Sequence, residues 1–103
     1  MTVIGHSLSI RGQITSDEDI VVHGTVVGPI EARHGTVAVS ETGRVDGDVR
    51  GTRVVVEGVV NGPILGSIKV ELARTAKVAG RLTSSQVVMW DGALFQGAID
   101  MSR

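Results

Sequence analysis

The stretch from Val54 to Ile64 reads V-V-V-E-G-V-V-N-G-P-I. Val54, Val56, Val60 and Ile64 fall at even spacings, and an extended chain sends evenly spaced side chains to one face. Gly58 and Gly62 stand where the path must bend, because glycine accepts backbone angles that other residues resist. Helix is disfavoured throughout: the apolar residues are mostly β-branched and the chain carries 14 glycines. The stretch therefore reads as three short strands joined by two corners.

The same pattern recurs along the chain. A second copy begins at Ile20, a third at Val37, a fifth at Val70 and a sixth at Val87, while residues 1–19 hold a partial first copy around Ile10-Arg-Gly12-Gln-Ile14. The starts Ile20, Val37, Val54, Val70 and Val87 lie 17, 17, 16 and 17 residues apart. Self-similarity at such a period marks a stacked repeat architecture. Each copy supplies three apolar pieces, so each turn is a triangular coil of three strands. Six coils hydrogen-bonded in parallel would stand about 29 Å tall at ~4.8 Å per coil. Three inward columns are expected: Ile20–Val37–Val54–Val70–Val87, Val26–Val45–Val60–Val78–Phe95 and Ile30–Val49–Ile64–Leu82–Ile99. Glu41-Thr42, Arg74-Thr75 and Asp91-Gly92 are extra pairs, read as bulging surface turns. Gly28, Gly47, Gly62, Gly80 and Gly97 recur at uneven spacings of 19, 15, 18 and 17. The strict hexapeptide period of left-handed acyltransferase helices is absent. The predicted fold is all-β, a right-handed parallel β-helix of about six coils, in keeping with the usual hand of parallel crossovers.

Composition bounds the function. A length of 103 residues suits one domain spanning 1–103, which buries roughly 60–65% of its extended surface. The net charge of −1 offers no attraction for a polyphosphate, so no nucleic-acid partner is expected. The absence of cysteine excludes disulfides and thiolate metal sites. No apolar run reaches the ~20 residues of a membrane span. No G-x-x-x-x-G-K-[ST] occurs, so no nucleotide site is supported and no cofactor is expected.

The order and spacing of several segments carry a resemblance. Thr2-Val-Ile-Gly5 with Ile10-Arg-Gly12, then Glu41-Thr-Gly43-Arg-Val45-Asp-Gly47-Asp-Val49, then Val70-Glu-Leu72 running to Ala79-Gly80, and finally Ala93-Leu-Phe95-Gln-Gly97 resemble the bactofilins over residues 2–100. These are polymer-forming cytoskeletal proteins. The resemblance implies a right-handed parallel β-helix that polymerises without nucleotide into non-polar cytoplasmic filaments. It further implies a scaffold role in cell shape or polarity, with cell-wall or polarity proteins as partners. Some members carry an apolar membrane-targeting peptide in a tail. Here the repeat begins at once and stops four residues after Ile99, so membrane contact through a tail is not expected.

Two groups of residues are candidates for assembly. A β-helix leaves an unpaired strand edge at each end, and unblocked edges invite pairing. Phe95, Trp90, Met89, Leu94 and Ile99 crowd the last coil, where Trp90 and Phe95 are the only aromatics; large rings are favoured at interfaces, and a ring that only plugged the open end of the core would present a contact surface all the same. Val3, Ile4 and Leu8 are their counterparts in the first coil. Separately, Val21, Ala38, Val55 and Val88 fall between inward residues and form an outward apolar row that Glu71 interrupts, a candidate for lateral contact.

The alternative function is a trimeric β-helix enzyme of the zinc hydratase or acyltransferase type. Its ligands would be His6, His23 and His34. Matching Ile10 to Val26 sets His6 opposite Val22 rather than His23, so the spacing does not converge them as zinc requires. Asp17-Glu18-Asp19 and Asp46-Gly47-Asp48 supply too few oxygens for Ca²⁺ and read as polar turns. Ser84-Ser85 reads as a turn pair. Pro29 and Pro63, two coils apart, read as stiffened corners that interrupt the ladder. Neither catalytic nor metal residues are assigned.

Overall fold

The computed structural model describes residues 2–101. Thirteen strands follow in order, with no helix among the described residues: β1 (Thr2–Ile4), β2 (Ser9–Arg11), β3 (Ile14–Ser16), β4 (Ile20–Val22), β5 (Thr25–Val27), β6 (Ile30–Val39), β7 (Arg44–Asp46), β8 (Val49–Val56), β9 (Val59–Asn61), β10 (Ile64–Leu72), β11 (Lys77–Ser84), β12 (Val87–Met89) and β13 (Leu94–Met101). Every pairing is parallel and joins one coil to the next. The result is a parallel β-solenoid of about six coils, with principal extents of 32 × 26 × 18 Å.

Three faces run the length of the solenoid. The first stacks β1, β4, the ends of β6, β8 and β10, and β12. The second stacks β2, β5, β7, β9 and the starts of β11 and β13. The third stacks β3, the starts of β6, β8 and β10, and the ends of β11 and β13.

The three expected columns are present in register, because residues of one parity on each short strand have nowhere else to go. Ile20, Val37, Val54, Val70 and Val87 pair in sequence on the first face. Ile10 heads the Val26-to-Phe95 column and Ile14 heads the Ile30-to-Ile99 column. A further column runs Ile4–Val22–Val39–Val56–Leu72–Met89. The third face adds one that apolar patterning did not show: Ser16–Ala32–Gly51–Gly66–Ser84. Its members are small because the next face folds back against them; a Cβ on Gly51 would stand 3.2 Å from Val37 Cγ2. Ser84 is therefore fully buried, not a turn residue, and its hydroxyl donates to the Gln86 carbonyl at 3.0 Å.

The corners explain the uneven spacing. Gly12, Gly28, Gly47, Gly62, Gly80 and Gly97 stack at the second corner with φ between 127° and 147°, and a Cβ on each of the last five would press on the carbonyl of the glycine in the preceding coil. Gly58 is glycine for a different reason. Its φ is not positive, but a Cβ there would collide with the carbonyl oxygens of Ser40 and Gly43. At this first corner the three expected two-residue insertions are β-turns, closed by Gly43 N to Ser40 O at 2.8 Å, Ala76 N to Ala73 O at 2.9 Å and Ala93 N to Trp90 O at 3.1 Å. The first coil has the same turn, closed by Leu8 N to Gly5 O at 3.0 Å. His6 and Ser7 are its extra pair, so Ile4 rather than His6 faces Val22. At the third corner, three residues separate Ala32 from Thr36 where one separates Gly51 from Arg53. The carbonyls of Pro29 and Pro63 still accept from Ile14 N and Val49 N, so the ladder loses at these corners only the donor that proline lacks.

Candidate polymerisation surfaces

At each end of the solenoid the strands have one sheet neighbour only: β1, β2 and β3 at one end, β12 and β13 at the other. Each end is thus an open edge on all three faces, made of three strands at the N-terminal end and of β12 and the two-face strand β13 at the other, with half its backbone groups unused. The apolar core runs out at both edges.

At the C-terminal end the last members of the inward columns are Val87, Met89, Phe95 and Ile99. Phe95 lies on Val78 and is half-buried, while Met89 and Ile99 are each 42% exposed. Nothing among the described residues extends the columns beyond them. Two expected members of this end stand outside the inward columns. Trp90 does not plug the core. It stands outside the first corner, 56% exposed, and its indole Nε1 donates to Glu71 Oε2 one coil away at 3.1 Å. Leu94 points sideways from the second face, 60% exposed, over a groove shared with Val59, Lys77, Ala79 and Gln96. Both belong to the last coil, but their parity points them away from the core.

At the N-terminal end Ile4 is a core residue, 3% exposed. Val3 points outward on the first face and Leu8 lies exposed just after the first turn. The apolar cross-section here is completed by Ile10 and Ile14, repeat-motif residues not among those expected at this edge. Their position at the head of two columns was the available signal.

The outward row is real as a register row. Val3, Val21, Ala38, Val55, Glu71 and Val88 pair in succession, and Val21, Ala38, Val55 and Val88 are half-buried. Glu71 sits between Lys69 Nζ at 3.5 Å and the Trp90 indole.

The histidines are dispersed. His6 is exposed in the first turn, His34 is exposed at the third corner, and His23 Nδ1 lies 2.8 Å from Ser40 Oγ. Among the acidic groups, Asp19 accepts from Thr36 N and Asp46 accepts from Asn61 Nδ2, each at 2.9 Å. Among the described residues no three His, Asp or Glu side chains converge as a metal set would, and no helix is long and apolar enough to cross a membrane.

Comparison with known proteins agrees with the architecture. Residues 2–100 match the family model described as "Bactofilin: Polymer-forming cytoskeletal". Bactofilin BacO of Myxococcus xanthus (strain DK1622) is 40% identical over 100 residues, covering 97% of this chain and 79% of the relative. Bactofilin BacP of the same organism is 38% identical over 100 residues, again 97% of this chain but 41% of the relative. The chain thus spans about two fifths of the length of BacP. No solved structure gives a significant match. A six-coil parallel solenoid open at both edges, matched along nearly its whole length by this family model, places the chain in the bactofilin family of polymer-forming cytoskeletal proteins.

Proposed function

We propose that this protein assembles end to end into filaments without nucleotide or metal, and that the filaments act in the cytoplasm as a scaffold for cell shape or polarity rather than as an enzyme. The observation that carries the reading is the pair of open edges: on each of the three faces the end strand has one neighbour only, with an apolar cross-section behind it. Joining two ends satisfies backbone groups and removes Met89, Phe95 and Ile99, or Ile10 and Ile14, from water. A self-complementary joint at each end gives a filament without polarity. Cell-wall or polarity proteins would then use its sides, and the inner membrane face is a location such a scaffold could occupy.

The test is sedimentation and negative-stain microscopy of the purified protein in excess EDTA with no nucleotide added. Filaments at unchanged yield are expected. Assembly that stops on chelation would send attention back to the histidine and acidic groups.

A further inference from the structure

The first and third faces present the same kind of surface, one outward residue at the centre of each strand, and they differ in chemistry. On the third face the central row is polar from end to end except at Leu65: Thr15, Glu31, Arg50, Leu65, Thr83, Asp100. On the first face it is valine or alanine except at Glu71. The first face is therefore both flat and apolar, the surface that sheet-on-sheet packing uses.

Its flanks identify the partner. The residues two before and two after each central residue share its parity and point outward with it. Around Val55 these are Arg53 and Glu57, both exposed and without an ion pair among the described residues. Around Val21 they are Asp19 and His23, and around Ala38 they are Thr36 and Ser40. Arg53 and Glu57 are complementary in charge, Asp19 can pair with His23, and Thr36 and Ser40 are both hydroxyls, while the flanks of Glu71 (Lys69 and Ala73) and of Val88 (Gln86 and Trp90) are not matched in this way. A two-fold axis parallel to the solenoid, passing over the central row, exchanges the flanks within every coil.

We propose that the first face binds the first face of a second copy about such an axis, coil against like coil. Arg53 then meets the partner copy's Glu57 twice per pair, Asp19 meets His23, and Lys69 meets Ala73. Glu71 from each copy reaches the axis between the two Lys69 side chains, as it already lies 3.5 Å from its own. A slip of one coil would instead set each carboxylate against Val55 or Val88, so Glu71 fixes the register. The reversed arrangement, coil against opposite coil, leaves Arg53 facing Thr36 and Glu57 facing Ser40, and sets Glu71 on Val21.

The face is small. Five residues by six coils is about 16 by 29 Å, about 460 Å² per copy against roughly 800 Å² in a standard stable interface. One pair is thus a transient contact, and copies joined end to end add such contacts in series. In that respect the inference rests on the filament reading above.

Cysteine is absent from the chain, so single cysteines report cleanly. Val21→Cys should give an oxidised dimer at high protein concentration, because residue 21 meets its own copy; in the reversed arrangement the two would stand about three coils, ~14 Å, apart. Leu65→Cys on the third face is the control. The Val21 cross-link should persist with Phe95→Arg added, which separates face pairing from end joining: a Val21→Cys chain that cross-links while the parent forms no filaments would fault the filament reading alone. In filaments, Arg53→Glu should leave single strands, and Arg53→Glu with Glu57→Arg should pair side by side again. Equal cross-linking at positions 21 and 65, or no rescue by the exchanged pair, overturns the proposal. So does a Val21→Cys chain that stays monomeric while the parent floats with anionic lipid vesicles and Val21→Lys does not, an outcome that gives the face to lipid.

Discussion

At the scale of single residues, position within a column decides what a side chain can do. Val60 lies between Val45 and Val78 and is fully buried. Val60→Asp would place a carboxylate there without a partner, a loss of several kcal/mol. Circular dichroism should show the strand signal gone at room temperature; a melt matching the parent would mean that the column is misassigned. The glycines divide by the same logic. Gly62 has φ near 142° and a Cβ there would press on Gly47, whereas a Cβ on Gly5 meets nothing within 4 Å. Gly62→Ala should therefore lower stability by more than 1 kcal/mol. Gly5→Ala should shift it by a few tenths at most, since it relieves backbone entropy in a site with room. Paired urea titrations will show the contrast, and equal midpoints would contradict it.

Between residue and molecule lies the corner. The first corner exists in two forms that coexist in one stack. In the second and fourth coils a glycine, Gly24 or Gly58, sits against the carbonyls of the turn in the preceding coil; in the first, third, fifth and sixth coils two more residues close a β-turn. The short form shows that the strands on either side do not need the insertion. Deleting Glu41 and Thr42 would leave Ser40 followed by Gly43, the same arrangement as Glu57 followed by Gly58. We expect that chain to fold with a loss of about 1 kcal/mol or less, because turns tolerate length changes. Deleting Val45 and Asp46 instead would remove a column member and should abolish cooperative melting. A deletion at the turn that costs as much as one in the strand would show that corner length is held by something other than local geometry.

Over the whole molecule the question is how an elongated stack handles its ends. Phe95 closes its column with one side on Val78 and the other unmatched among the described residues. Joining two such ends would bury the remaining ring surface, contributing about 1–2 kcal/mol per subunit, and a self-complementary joint uses each ring once from either side. Phe95→Arg sets like charges across that joint. The lower five coils pair among themselves and should stay folded. Light scattering should then show a dimer or monomer where the parent forms polymers, the dimer reporting that the N-terminal edge still joins. Polymers at parent length would remove Phe95 from the joint.

Much of this was readable before any coordinates. Apolar parity on three-residue strands, repeated every 16 or 17 residues, determines which side chains are inside, because a triangular coil offers each strand one inner side. That logic placed Ile20, Val60, Leu82 and Phe95 in their columns, and it located Val21, Ala38 and Val55 on a common outward row. Corners are where it failed. A strand's alternation says nothing about how many residues the chain spends before the next strand begins, so inside and outside are reset at each corner by backbone geometry. His6 was misplaced for that reason, with two uncounted residues in the first turn. Trp90 and Leu94 were assigned to the open end on composition, whereas the corner between them sends both to the sides. Ser84 looked like a turn residue, and only the fold-back of the next face makes a small polar side chain the right filling. The opposition of Arg53 and Glu57 across Val55 belongs to the same class: the two residues are four apart in the sequence, but their meaning as two flanks of one flat face exists only once five other coils hold that face in place.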